Sequence, residues 1–486
     1  MYFIVDERNH IHAALRDHRD VFGGDRFAAI VNRRHSPLSL EEIVEGGLCI
    51  GCGLCKSVAG ADRIQIVLTP EGRERPVARR PLDESTLERI NAICPGTRVE
   101  GAGRVETAAR VEGAAHVEAT AHAEGTAVFG GAAVFEGTAA VEATRAPVMH
   151  DLVWGPAERL SIGYAGDPEV RYRGSTGGVL TALGQFLLAS GRAKFILHVA
   201  ASGKEPMRTE RVLSFDAASI LEGAGSRYGP AAPLVDFTAL LERAEPFALI
   251  AKPCDIAAVR NLARIDPRVD RYLRYALTFV CGGASDLTKS EEVVSELGIR
   301  PDELSLFRYR GNGCPGPARL ETKDGRSFEL TYQMMWEDEA TWRIQPRCKI
   351  CPDAIGESAD LAASDVWPGG GPTGEDAGFN GIIVRTERGL ELYRAALAAG
   401  AIVVEPREVS FRDFDEFQPH QVRKKRAVWA RLAGMRAAGQ PVPETHGLRL
   451  AECARLNTLA ENLDEARGAR RRARQGRLGE PPARQR

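Results

Sequence analysis

Phe247-Ala-Leu-Ile-Ala-Lys-Pro-Cys-Asp255 joins a short apolar run, Phe247 to Ala251, to a turn that carries a cysteine. A run of that length closed by proline reads as a buried strand. Ala276 to Val280 repeats the arrangement and ends at Cys281, and a helix candidate, Ser290 to Leu297, follows it. Working outward, Gly177 to Ser190 carries apolar residues at helical spacing ahead of a strand candidate, Lys194 to Ala200. Gly381 to Val384 leads into a further helical pattern, Gly389 to Ala399. Strand, turn and helix thus recur between about Asp151 and Leu450, which predicts a mixed α/β (α+β) domain whose sheets are covered by helices. Sites in such domains gather where strands end, and Cys254 and Cys281 stand there.

The chain has 486 residues, enough for two or three domains with at least one large core. Composition divides it into a charged helical extension (1–45), a short cysteine-bearing unit (46–98), a repeat (99–147), the α/β domain (148–450) and an Arg-rich tail (451–486). Ser39 and Glu42 have the spacing of a capping box just ahead of the first cysteines. Lys plus Arg (64) nearly balances Asp plus Glu (66), so no general field attracts nucleic acid or acidic membranes. The first residues lack the basic start and apolar block of a secretory signal, and no run is long enough to span a bilayer. A cytoplasmic protein is expected, a setting in which ten cysteines point to metal more than to disulfides.

From Val99 to Arg145 a period of six is led by Val99, Val105, Val111, Val117, Ala123, Phe129, Phe135 and Val141. Such a period resembles a left-handed parallel β-helix, while its Ala, Gly, Thr and Glu content also suits a linker.

Cys49, Cys52 and Cys55 follow the spacing Cys-x2-Cys-x2-Cys, with Gly51 and Gly53 between them. A 4Fe-4S cubane needs four converging thiolates, and glycines let a loop wrap it without side chains in the way. No cysteine follows in Lys56 to Gly60; Cys94, followed by Pro95, is the candidate fourth ligand of this ferredoxin-like unit. Zinc is the alternative for four thiolates, although zinc ribbons favour two separated pairs. Cys254, Cys281 and the pair Cys348 and Cys351 form a dispersed second set, able to hold another cluster or to serve as small buried hydrophobes. Cys314 and Cys453 are left over, Cys453 on a polar C-terminal helix without a chemical role.

Gly174-Ser175-Thr176-Gly177-Gly178 precedes the helix that begins near Val179. Free backbone N–H groups and two hydroxyls at a helix start make an anion seat suited to a pyrophosphate, or a plain glycine cap. The stretch is neither Gly-x-Gly-x-x-Gly nor a P-loop with its lysine. Arg227, Tyr228, Lys252, Asp255, Arg308, Arg310 and Asn380 could complete a cofactor or substrate pocket, with Lys252, Asp255 and Tyr228 as candidate proton donors. His420 to Arg426 is basic and could meet a phosphate or carboxylate, or be a solvated helix face.

Taken together, CIGCGLC (49–55), GSTGGVLTALGQFLL (174–188), GSRYGPAAP (225–233), AKPCDIAAVRNLA (251–263), VCGGA (280–284), RYRGNGCPG (308–316) and CKICPDAIGESADLAASDVW (348–367) are similar to the beta-subunit family of coenzyme F-420 hydrogenase and dehydrogenase. That family also includes 7-hydroxymethyl chlorophyll a reductase and a ferredoxin-dependent divinyl chlorophyllide reductase. The resemblance covers Cys49 to Pro95 and about Ile162 to Arg385. It implies a flavin-binding catalytic domain over 148–450, FAD lying against Ser175 to Gly178, and a second cluster on Cys254, Cys281, Cys348 and Cys351. Two features depart from the family pattern: no fourth cysteine adjoins Cys55, and Cys314 stands where an aromatic residue is expected.

Three functions follow as expectations. The first is an iron-sulfur flavoprotein oxidoreductase, taking electrons from ferredoxin or another donor through one or two 4Fe-4S clusters and FAD to a small organic substrate. The second is an electron-transfer beta subunit that exchanges hydride with a deazaflavin or nicotinamide coenzyme beside a partner subunit. The third is a zinc-stapled binding protein.

Overall fold

The computed structural model describes residues 2–5, 11–15, 36–101, 148–336, 338 and 341–485. Nearly all of the hexapeptide repeat therefore lies outside the described residues, and its first leader, Val99, is buried in a short strand paired in parallel with Glu444–His446.

Among the described residues, eight strands form one large sheet. In chain order they are β1 (Arg159–Ala165), β2 (Phe195–Ala201), β3 (Thr209–Ser214), β4 (Phe247–Ile250), β5 (Leu273–Phe279), β6 (Leu361–Asp365), β7 (Asn380–Val384) and β8 (Ile402–Val404). Their spatial order is β3-β2-β4-β5-β6-β7-β1-β8. The centre, β2-β4-β5-β6, is parallel. The strands flanking it pair antiparallel. The sheet is mixed, as expected, and it gains antiparallel strands at β1 and at both edges, β3 and β8, that no strand-turn-helix pattern announced.

Parallel strands are buried on both faces, so their sequences read as unbroken apolar runs. Side chains alternate all the same: Phe247 and Leu249 join Phe195 and Leu197 in one core, while Ala248 and Ile196 join Leu183 and Leu277 in the other. Helix α1 (Val179–Ala189) covers the second face, and α2 (Pro253–Ala263) makes the crossover between β4 and β5. A small antiparallel sheet, Leu304–Arg308, Ala318–Thr322 and Ser327–Leu330, closes the end of the domain with an aromatic cluster.

The cysteine-bearing unit consists of a helix, Leu40–Glu45, a second short helix at Leu54–Ala59, a hairpin of Ile64–Leu68 and Glu74–Ala78, and the helix Glu84–Ile93. The Ser39/Glu42 capping box forms as expected. Upstream of it, Tyr2–Val5 and Ile11–Leu15 pair as antiparallel strands where charged helix was expected. The aromatic and β-branched run Tyr2-Phe3-Ile4-Val5 favours extended backbone over helix.

Residues 451–486, expected as an Arg-rich tail, supply a further packed helix. Ahead of it, α3 (Pro419–Arg436) runs beneath the cysteine unit, and α4 (Leu459–Arg474) lies against it. Thr458 and Glu461 cap α4, and its arginines surround a narrow face of Ala469 and Ala473 that is buried. Gly434 on α3 meets the α4 backbone at Ala466 so closely that no Cβ would fit. A face made of alanine hides in arginine-rich composition, which is why the sequence did not show it. Cys453 is buried too, and its thiol donates to the Leu152 carbonyl at 3.0 Å. Among the described residues no helix is long and apolar enough to cross a membrane.

Candidate metal and cofactor site

All ten cysteines are free thiols. Cys94 lies within electrostatic reach of Cys49, Cys52 and Cys55, and Cys55 within reach of Cys49 and Cys52. The loop between them turns at Gly51, whose φ of 73° is left-handed and whose α-carbon faces the Glu74 carbonyl and the Arg75 guanidinium. The N–H of Gly51 donates to Cys49 Sγ and that of Gly96 to Cys94 Sγ, both at 3.3 Å. Such N–H···S bonds orient sulfur and lower its electron density, one of the levers on a cluster's potential. Burial, followed by the neighbouring thiols, pushes Cys55 far up, and burial followed by Asp255 and the thiols does the same to Cys52; Cys49 is pushed up to about 11, Arg75 opposing the rise. A thiolate persists in such surroundings when a metal replaces the proton.

The dispersed set comes together as well. Cys254 stands in the first turn of α2, Cys281 directly after β5, and Cys348 and Cys351 around the short helix Pro346–Lys349. All four line one small gap with Ile50, Lys252, Gly283, Gln345 and Lys424. Burial again dominates: Cys254 is raised strongly, Cys351 is raised, and Cys281 goes up to about 12. Ile50 sits between Cys49 and Cys52, so the two cysteine sets are neighbours. Two buried arginines stand between them. Arg75 faces Cys49 and Cys348; Arg347, which donates to the Pro95 carbonyl at 2.7 Å, faces Cys94 and Cys351.

Among the described residues, no three His, Cys, Asp or Glu side chains converge on a point as one metal ion requires. A zinc ion needs its sulfurs about 2.3 Å from a common centre. A cubane spreads four thiolates over four irons.

Beyond the carboxyl ends of β4, β5 and β6 opens a cavity of about 680 Å³. One end is the glycine loop. Asn380, at the start of β7, accepts from Val179 N at 3.1 Å and donates to Thr176 Oγ1 at 2.8 Å and the Ser364 carbonyl at 3.1 Å. At Gly177 a Cβ would stand 2.8 Å from the Asn380 backbone N and side-chain oxygen, so this approach requires glycine. Ser175 Oγ accepts from Ser226 N at 2.7 Å, tying in the second loop. Gly174, Ser175, Thr176 and Gly178 line the cavity at the start of α1, with Gly177 beneath them.

The opposite wall is aromatic. The rings of Tyr228 and Trp336 are 4.4 Å apart, as are those of Trp336 and Trp342, and the buried Trp336 indole N–H has no hydrogen-bond partner. Arg310 donates to the Ser175 carbonyl at 2.8 Å and Tyr228 Oη at 3.2 Å, and pairs with Asp365 at 3.3 Å, 4.5 Å over the Trp367 ring. Sequence reasoning named Arg310 but not the tryptophans or Asp365, whose positions depend on distant loops. His420, Arg423 and Lys424, from the basic start of α3, reach the mouth.

Other expected residues have different work. Arg227 lines the cavity, yet its guanidinium donates to the carbonyls of Pro206, Met207, Arg208 and Phe307, so it braces the chain. Arg308 does not line the cavity. Asp255 is buried beneath Lys252, whose ammonium it meets at 2.7 Å. That ion pair holds Lys252 well above the ordinary lysine range despite burial. Cys314 is buried in its glycine-rich loop, raised to about 12 by burial and then by Asp376.

Comparison with known proteins identifies a family. The family described as coenzyme F420 hydrogenase/dehydrogenase, beta subunit, matches with its N-terminal part over residues 161–238 and its C-terminal part over 244–410. The beta subunit of F420-dependent formate dehydrogenase 1 from Methanococcus maripaludis is 28% identical over 242 residues, 49% of this chain and 59% of that subunit. The coenzyme F420 hydrogenase beta subunit from Methanothermobacter thermautotrophicus is 21% identical over 60% of this chain and 100% of its own length. The coenzyme F420-dependent sulfite reductase of Methanocaldococcus jannaschii is 25% identical over 46% of this chain and 34% of that enzyme. A solved structure of the F420-reducing [NiFe] hydrogenase complex from Methanosarcina barkeri aligns with a TM-score of 0.43 and 20% identity, covering 57% of this chain and 95% of the matched one. Sheet, glycine loop and dispersed cysteines all fall within or against the matched span, and the chain belongs to the coenzyme F420 hydrogenase/dehydrogenase beta-subunit family.

Proposed function

We propose that the chain is an iron-sulfur flavoprotein that passes electrons between two cysteine-held 4Fe-4S clusters and FAD, and exchanges hydride with a deazaflavin coenzyme as the electron-transfer component of a hydrogenase or dehydrogenase. The observation that carries this reading is a shared wall: Lys252, Cys281, Gly283 and Lys424 line both the dispersed cysteine gap and the large cavity. Redox groups in the two spaces would be separated by no more than these side chains. The expectation of a free-standing reductase for an organic substrate has less support, since the relatives are named for F420-dependent chemistry.

Bound in the cavity, a flavin supplies the conversion between single-electron and two-electron transfer. The chain's own groups do the rest. The start of α1 and the Ser175 and Thr176 hydroxyls meet a diphosphate with oriented N–H and O–H donors. Asn380 holds that loop in shape. The tryptophan wall excludes water from a planar ring system, and Lys252, fixed by Asp255, offers positive charge where negative charge would collect on reduction.

Anaerobic purification followed by iron, sulfide and flavin analysis tests the reading, with about eight irons and one FAD expected per chain. The purified holoprotein is then mixed with a reduced deazaflavin coenzyme, and bleaching of the flavin and cluster absorbance is followed. A colourless protein, or one that reduced deazaflavin leaves unbleached while a nicotinamide bleaches it, would overturn the proposal.

A further inference from the structure

Arg75 is fully buried, and no part of the proposed electron path uses it. Burying a guanidinium costs several kcal/mol unless its donors are met. Here four of the five N–H donors are met. Nε and Nη2 form a two-point pair with Glu480 at 2.7 and 2.8 Å, Nη2 also donates to Gln345 Oε1 at 2.8 Å, and Nη1 donates to the Glu74 carbonyl at 2.8 Å. A pair this complete fixes the group's position as well as its charge.

The position is the informative part. Nη1 lies 3.0 Å from where a Cβ on Gly51 would stand, inside the Cys49 to Cys55 loop. Gln345, on the other limb of the fork, lines the gap shared by Cys254, Cys281, Cys348 and Cys351. Arg75 therefore points one edge at each cysteine set. Glu480 approaches from the far side, brought in by a segment whose backbone N–H donates to the Glu45 carbonyl at 3.0 Å. Arg73 shares Glu480 at 3.5 Å while keeping its own pair with Asp286 at 2.9 Å.

We propose that Arg75, held in place by Glu480, is a fixed positive charge common to both cysteine sets that raises the reduction potentials of the two clusters together. This rests on the proposed function above. Four thiolates give each cluster negative charge, reduction adds more, and a positive charge in a low-dielectric interior favours the reduced form. One charge placed between the sites moves both couples in the same direction, which preserves the driving force for transfer between them. Glu480 acts as a positioning residue whose own charge tempers the effect.

The test is a potentiometric titration of the anaerobically purified full chain, read by the paramagnetic resonance of each reduced cluster. Arg75→Gln is expected to shift both couples to more negative potential, each by about tenfold in the reduced-to-oxidised ratio, or about 59 mV for a one-electron couple. Glu480→Gln should shift both the opposite way, and Arg75→Lys, which keeps the charge, should stay near the wild type. A loosened fold could not produce opposite signs in the first two variants. Should Arg75→Gln fail to fold, the positive shift expected for Glu480→Gln decides the matter. A shift confined to one cluster, or none in either, overturns the proposal while leaving the functional reading intact. A wild-type chain without iron would remove that reading, and this inference with it.

Discussion

Cys49, Cys52, Cys55 and Cys94 come from one stretch folded around a hairpin and a helix, whereas Cys254 and Cys281 reach their gap from the carboxyl ends of β4 and β5 and Cys348 and Cys351 from the short helix Pro346–Lys349. The first set depends on local backbone, with a left-handed turn at Gly51 and N–H groups aimed at sulfur. The second depends on the register of β4 and β5 and on the loop after the small antiparallel sheet. A local site should tolerate damage on its own, while a sheet-end site shares its walls with whatever the sheet binds.

Replacing one cysteine from each set separates the two cases most widely. Cys52→Ser should remove about four irons and leave flavin content unchanged. Cys281→Ser should remove the other four and also weaken flavin retention, because Cys281 lines both spaces. Iron and flavin analysis of the two purified variants checks this; equal flavin loss in both would erase the distinction between them.

Asn380→Ala sharpens the sheet-end case without touching a thiol. It removes the acceptor for Val179 N and the donors to Thr176 and Ser364. The expected cost is about 1–3 kcal/mol in stability, measured by denaturant unfolding, with flavin dissociation at least about tenfold easier by fluorescence titration and the iron count unchanged.

The smallest effect belongs to His420 at the cavity mouth. Burial first, and then Lys424 and Arg423, lower its pKa from the ordinary 6.5 to about 4. The unfolded chain therefore binds a proton that the folded one refuses between those values, so stability falls as pH drops through this window. The loss at pH 5 relative to pH 7 should be about 1 kcal/mol once solvent screening is allowed for, and His420→Asn should remove that part of the slope. Thermal unfolding of both proteins across the window measures it.

How much of this could be read beforehand follows the same contrast. The Cys-x2-Cys-x2-Cys spacing and the buried runs at Phe247 and Ala276 carry their meaning in adjacent residues, and the corresponding elements appear within a few positions of the expected bounds. Asn380 was found because it adjoins a strand candidate. The tryptophan wall and the bracing role of Arg227 depend on loops far apart in sequence, where periodicity carries no signal. Antiparallel edge strands such as Ile402–Val404 are too short for a pattern to stand out. Ala469 and Ala473 passed unnoticed because alanine is a weak marker of burial beside so many arginines.

The bond between Arg75 and Glu480 joins positions 405 residues apart. During synthesis the cysteine unit therefore emerges well before the carboxylate that pairs with its interior guanidinium. Tags or truncations placed near Glu480 would be felt in the cysteine unit, at the Arg75 end of this bond.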